Sequence, residues 1–499
     1  MNTIRIYIGL LLLFAFASCY KDKGDYDYHA INEVTISGIE EQYALNRWDT
    51  LVISSAKIEN SLTENADLKY NWYLNYKKIG NTKDLNYVLS EKAGVYHGRL
   101  EVVEPAADGV RFFYDFKVVV RTQYAQGLML LSDNNGVPEL SFMSTLDNPD
   151  NKIAHDIFKM ENKKSLSGTP LKIEQPDIWS GYAGTIWVHT SVASHQLDPI
   201  LFKEVDCLDK NSFTEPVDEC DMVYCSYSIS APVAADFGGA IGRDGKIYPK
   251  ASRQNRYYSA SLKPVYDMFN FDTTYDYRLS PMLLCSRDAA LGYDTISGRF
   301  LWFTNSYDIP SFDESQYDVV RVSKTHVGLP WLGWGVNMNA GNFCYTSLFF
   351  DAKTGEAALA RQHNQIGTMR GQDSLVILSQ HYLHDGSKMA VNSASNRLYY
   401  SDGANKVYMI NLSDPEFVFA SSDLGCVLPE DCRITMLKMA NNNTSLYVGV
   451  QTNRQEGYSG DVYKVSTRDG SIEEHYKGFG GAPIDIIEKV EVAEFDAEE

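Results

Sequence analysis

The chain has 499 residues, 44% hydrophobic and 22% charged, a balance that excludes a disordered polymer and supplies more apolar material than one ordinary core needs. A formal net charge of −20 repels nucleic-acid phosphate, so no nucleic acid is expected as a partner. With 33 tyrosines, 22 phenylalanines and few long helix-period stretches, the expected class is all-β.

Taken in chain order, Arg5 gives a short basic start, and residues 6–16 form an apolar run of signal-peptide length, too short for a comfortable membrane span. Ala17 and Ser18 precede Cys19, so "FASC" resembles a bacterial lipobox, in which the cysteine is acylated and becomes the first residue of the mature chain. That resemblance implies a signal peptide over 1–18, a tether over 19–30 lipidated at Cys19, and a membrane anchor made of acyl chains. "YKDKGD" (20–25) is similar to the Lys/Asp-containing tag of surface-exported Bacteroidetes lipoproteins, which implies an outer-membrane, cell-surface location.

Residues 31–122 carry short β-runs separated by polar turns, among them "DTLVISSAKI", "LKYNWYLNY" and "RFFYDFKVVVR". Their spacing predicts an antiparallel immunoglobulin-like sandwich with Trp72 pinned between its sheets. The segment "GVYHGRLEVVEPAADGVRFFYDFKVVV" (94–120) resembles the final hairpin of PKD-type domains.

Beyond residue 123 the chain repeats. "KMAVNSASNRLYYSDGANKVYMINL" (388–412) aligns with "KMANNNTSLYVGVQTNRQEGYSGDVYKV" (438–465), giving a period of about 50 residues. "SGRFLWF" (297–303) looks like "SNRLYY" (395–400), with an intermediate copy near Phe343 to Tyr345. Earlier copies fall at "DGKIYPKA" (244–251), "GTIWVHT" (184–190) and "GLMLLSD" (127–133), which makes seven. Turns at Gly245, Gly355, Gly403 and Gly470 separate the strands. The expected architecture over 123–499 is a β-propeller of seven blades, with six or eight as alternatives, in which "APIDIIEKVEV" (482–492) pairs with the first blade.

The sequence contains no His-Glu-x-x-His, Walker loop, EF-hand loop or Gly-x-Ser-x-Gly elbow, so no catalytic residue, metal site or cofactor is expected. His189 and His195 are read as two imidazoles on one side of a blade, with no carboxylate tied to them by spacing. Cys207, Cys220 and Cys225 lack a histidine at ligand spacing, which places disulfide or free thiol ahead of zinc. Cys426 and Cys432 flank a short polar loop that a disulfide could close. Trp331 and Trp334 sit among Pro and Gly and are expected on a loop. With Tyr257, Tyr258, Trp179 and Tyr182 they are the candidate aromatic faces for a ligand.

Together, the lipobox-like start, the PKD-like module and the irregular propeller resemble the PKD-like lipoproteins of Bacteroidetes. The resemblance implies an accessory binding protein of a SusC/SusD-type uptake system, with a SusC/SusD-like transporter as partner and oligopeptide or glycan as ligand. A surface hydrolase or lyase, and a scaffold or lid without a ligand of its own, are the alternatives.

Overall fold

The computed structural model describes residues 33–490, apart from 48, 61–67, 92–93, 105–108, 122–123, 125, 146–152, 176–184, 214–216, 228–236, 252–264, 268–273, 286–288, 305–318, 323–324, 340–341, 364–373 and 414–423. Counts refer to the described residues. The chain divides into two compact units, Met1–Val120 and Arg121–Glu499.

The first unit contains β1 (Val34–Ser37), β2 (Gln42–Asn46), β3 (Thr50–Ile53), β4 (Lys57–Asn60), β5 (Lys69–Leu74), β6 (Lys77–Gly80), β7 (Leu85–Val88), β8 (Gly94–Glu104) and β9 (Val110–Arg121). A five-stranded sheet runs β2-β9-β8-β5-β6, while β1 pairs with β4 and β3 with β7. The anticipated hairpin over 94–120 is present, with Gly94 opposite Val120 and Glu104 opposite Val110. Alternation buries Trp72 and Leu74 of β5, Leu100 and Val102 of β8, and Phe116, Val118 and Val120 of β9 in one core with Leu51, Ile53 and Leu85. Trp72 is fully buried, meets Phe116 edge to face at 6.0 Å, and donates its indole N–H to the Thr82 carbonyl at 2.9 Å. The polar tip of this large side chain is thereby satisfied. Gly98, directly opposite Phe116, leaves the space that ring occupies; a Cβ there would lie 2.3 Å from it.

The second unit contains seven sheets. The first has the order β11-β10-β37, from β10 (Gly127–Asn134), β11 (Val137–Ser144) and the distant β37 (Ala482–Lys489). After it comes a short helix, α1 (Ile157–Asn162), which buries Ile157 and Phe158. The second sheet is β12 (Pro170–Glu174), β13 (Ile186–Thr190), β14 (Ser194–Leu197) and β15 (Glu204–Leu208); the third is β16 (Met222–Tyr227), β17 (Phe237–Gly242) and β18 (Ile247–Ala251). The fourth takes up β19 (Val265–Asp267), β20 (Thr274–Tyr275), β21 (Leu279–Cys285), β22 (Ala289–Asp294), β23 (Arg299–Thr304) and β24 (Val319–Val322) in the order β20-β19-β24-β23-β22-β21. Three four-stranded meanders follow: β25 (Trp331–Asn339), β26 (Asn342–Asp351), β27 (Glu356–His363) and β28 (Ser374–Ile377); then β29 (Met389–Asn392), β30 (Arg397–Ser401), β31 (Lys406–Asn411) and β32 (Leu424–Val427); then β33 (Cys432–Met439), β34 (Ser445–Thr452), β35 (Gly460–Ser466) and β36 (Ile472–Gly480).

One strand of each sheet touches its counterpart in the next: β37 meets β12, and the series runs through β16, β21, β25, β29 and β33 back to β37. The seven sheets therefore close a ring with these strands innermost, although no single sheet closes on itself. This is a β-propeller. The closing strand pairs antiparallel with β10, Gly127 opposite Lys489, as the sequence of the last segment suggested.

Each of the seven repeat copies falls in a different sheet, with two out of phase. "SNRLYY" is β30, the second strand of its sheet, whereas "SGRFLWF" contains β23, a third strand; "DGKIYPKA" likewise contains the third strand, β18. The four turn glycines all take positive φ, between +74° and +79°. At Gly470 a Cβ would also stand 1.6 Å from the Gly425 carbonyl oxygen, so the turn packs backbone to backbone against β32.

Candidate functional site: charged groups on the inner strands

In β12, Lys172 and Glu174 stand two residues apart and share a face, while Ile173 turns into the apolar core. The ladder sets Lys172 opposite His189 and Glu174 opposite Trp187. Lys172 Nζ lies 2.7 Å from Glu174 Oε2 and donates to Ser226 Oγ of β16 at 2.6 Å. His189 Nε2 lies 3.0 Å from Glu174 Oε1, and its Nδ1 lies 2.8 Å from Ser194 Oγ. An ionised carboxylate only accepts, so Nε2 carries the proton and donates to Glu174. From β37, Asp485 accepts the Ile173 backbone N–H at 3.2 Å and Lys438 Nζ of β33 at 2.9 Å. Charged side chains, bridged by the Ile173 backbone N–H and the Ser226 hydroxyl, thus tie together the innermost strands of the seventh, first, second and third sheets.

Glu174 is 2% exposed. Burial alone would raise its pKa, but the Lys172 ammonium and the His189 hydrogen bond outweigh that and hold it at about 2. For Lys172, burial favours the neutral amine; the adjoining Glu174 carboxylate reverses this and drives the ammonium well above the ordinary lysine range. Neither group exchanges a proton near neutral pH. They are fixed charges that position strands; Lys438, the partner of Asp485, is more open, its side chain 38% exposed.

His189 and His195 do not share a side of the blade. The ladder pairs His189 with Ser194 and His195 with Val188, so the two imidazoles point to opposite faces. Each finds a carboxylate that sequence spacing did not reveal, Glu174 for His189 and Glu204 for His195, the latter at 2.7 Å. The histidine missing from the cysteine spacing is also supplied across the ladder, since His195 stands opposite Cys207. Burial, aided by nearby Glu204, pushes the Cys207 thiol up to about 11, and burial pushes Cys220 up to about 12.

The expected disulfide is corrected: Cys426 and Cys432 are free thiols. Both are buried in one apolar cluster, and Cys432 Sγ bonds to the Pro429 carbonyl at 2.9 Å, which binds the loop without a cross-link. Cys426 also borders a cleft of about 210 Å³ between the sixth and seventh sheets, lined by Arg397, Tyr399, Met409, Val465 and Arg468 among others.

Trp331 and Trp334 are likewise not on a loop but in β25. Trp331 is 5% exposed and packs against Phe300 at 5.3 Å and Tyr293 at 6.2 Å; half-buried Trp334 meets Tyr345 edge to face at 6.3 Å. The glycines that suggested a loop serve close packing. A Cβ on Gly333 would strike Met389, and one on Gly335 would strike Val391, both of β29, the neighbouring inner strand. Cys19, Trp179, Tyr182, Tyr257 and Tyr258 lie outside the described residues.

The fold therefore defines an all-β protein with an immunoglobulin-like sandwich followed by a seven-sheet propeller. The PKD-like family matches residues 19–170, which takes in the sandwich and reaches the start of β12. No curated protein matches the chain. Among solved structures, it is similar to a Quinonprotein alcohol dehydrogenase-like protein from Bacteroides thetaiotaomicron, with 13% identity, TM-score 0.47, and coverage of 90% of this chain and 96% of that one. It is also similar to a putative 6-phosphogluconolactonase from Bacteroides uniformis, with 10% identity, TM-score 0.47, and coverage of 73% and 99%. Likenesses at this level carry no functional argument, and the propeller assignment rests on the strand pairing itself.

Proposed function

We propose that this protein is a lipid-anchored, surface-displayed component of an outer-membrane uptake system of the SusC/SusD type, holding oligopeptide or glycan for a transporter. The observation that carries the reading is the start of the PKD-like match at Cys19, the residue on which the lipobox-like "FASC" would place its acyl chains. Loops mounted on a rigid ring are suited to ligand contact.

The test has two arms. Radiolabelled palmitate should enter the wild-type protein and fail to enter Cys19→Ala. A pull-down from native outer membranes should bring down a SusC/SusD-like transporter, and the purified chain should bind a peptide or glycan array without consuming it. Absence of label, absence of any such transporter, or turnover of a polymer overturns the proposal.

A further inference from the structure

We propose that His195, Glu204 and Cys207 form a binding site for a divalent transition metal, with Zn²⁺ the ion that fits the donor set. The inference is independent of the anchoring and uptake reading. Along a regular strand, Glu204 and Cys207 would face opposite ways, being three residues apart. The β14–β15 ladder breaks that alternation: Gln196 pairs with Asp206 but Leu197 pairs with Glu204, so Val205 is skipped. Val205 bulges into solvent at 58% exposure, and Glu204 is re-aimed to the face that carries the His195–Cys207 pair.

The resulting ligand atoms lie within 4.8 Å of one another. Cys207 Sγ is 3.6 Å from His195 Nδ1, and Glu204 Oε1 is 2.7 Å from the same nitrogen. Zinc bonds of about 2.0–2.1 Å to nitrogen and about 2.3 Å to sulfur, at a tetrahedral angle, require an N···S edge of about 3.6 Å. The sulfur and nitrogen already stand at that separation. The carboxylate must retreat to about 3.4 Å from the nitrogen, exchanging its hydrogen bond for a metal bond. Imidazole, thiolate and carboxylate together suit zinc, whereas Mg²⁺ and Ca²⁺ select all-oxygen sets. Three protein ligands leave a fourth position for water or an incoming group.

The surroundings hold the frame and leave the side chains adjustable. The Glu204 backbone N–H is held by Asn162 Oδ1 at 2.8 Å, and Asn162 Nδ2 donates to the Phe202 carbonyl at 2.9 Å, pinning the end of α1 to the hairpin. Phe158 covers the imidazole edge to face at 5.3 Å. The buried Nε2 of His195 has no hydrogen-bond partner among the described residues, so the polar contacts orienting the ring come from the other two proposed ligands. Lys164 pairs with the second oxygen of Glu204, and its side chain, 54% exposed, is free to swing into water when a cation arrives.

The experiment uses the full mature chain, stripped with chelator and titrated with Zn²⁺ by calorimetry, then with Co²⁺ by absorption spectroscopy. We expect one Zn²⁺ per chain and a thiolate-to-cobalt charge-transfer band. Cys207→Ser should lose the band, Glu204→Gln should weaken Zn²⁺ binding at least tenfold, and Lys164→Gln should tighten it. If Cys207→Ser does not fold, the band in the wild type and the opposite effects of the other two variants decide the matter. No Zn²⁺ binding by the wild type, no charge-transfer band, or an unchanged band in folded Cys207→Ser overturns the proposal.

Discussion

The two units solve the same problem, fastening sheets together, by different means. The sandwich buries an apolar core around Trp72, and its ion pairs keep at least one partner exposed: the Arg99 and Asp115 side chains are 37% and 48% exposed, and the buried Glu101 pairs with Arg111, whose side chain is 63% exposed. The propeller also has apolar packing between its sheets, but it adds the Lys172–Glu174 pair and the Asp485 bridge on its innermost strands. A sandwich face is extended and two-sided, so an alternating apolar pattern suffices. Where inner strands converge there is less room, and short directional contacts fix each strand's register against the next.

Removing one partner of the buried pair should give the largest effect. Glu174→Ala leaves an uncompensated ammonium beside Ser226 and should cost about 3–5 kcal/mol, read as a lower denaturant midpoint for the propeller transition. Replacing both charges, Lys172→Met with Glu174→Leu, should recover part of that loss, because no ammonium is left unpaired, while the buried His189 Nε2 and the Ser226 hydroxyl still lose their acceptor. If the double variant is no better than the single one, the charges are not coupled as the distances indicate.

The pH dependence follows the same pair. Glu174 is held below its unfolded value of 4.5, at about 2, so its contribution is present above about pH 4.5 and fades as the pH falls towards 2. The wild-type urea midpoint should therefore drop through that window, and Glu174→Gln should lack this component of the drop. Equal acid sensitivity in both would contradict the assignment.

In the sandwich, Trp72→Phe removes ring volume and the bond to Thr82, and should cost about 1–3 kcal/mol in that unit's transition while leaving the propeller's midpoint unchanged. The smallest effect is expected for Arg99→Ala. Its partner Asp115 is exposed and screened by water, so the melting curve should superimpose on the wild type. A clear shift there would blur the contrast between the units.

How far the sequence could be read follows the same division. Local features were visible: the hairpin over 94–120, the buried position of Trp72, the seven repeats, the turn glycines and the closing role of 482–492. What stayed hidden depends on partners brought together by the ring or across a ladder. Asp485 meets Ile173 across 312 positions of chain, and no spacing rule reports that. A cue existed in the charges embedded in the apolar runs "LKIE" and "APIDII", since a charge inside a strand bound for the interior needs a partner. His195 and Cys207 are joined by register and Glu204 by a bulge, so a search for ligand spacing passes over them. Trp331 and Trp334 were misplaced because glycine serves both loops and strands that approach closely, and only the position of β29 tells the two apart.

Ring closure by the last strand brings the inner-strand charges together, and amide hydrogen exchange on the full chain tests it directly. The β37 amides that bond to β10 should be as protected as those of β34 in the middle of the seventh sheet. If β37 exchanges at the rate of an unpaired terminus while β34 remains protected, the ring is open and the inner-strand charges do not meet as described.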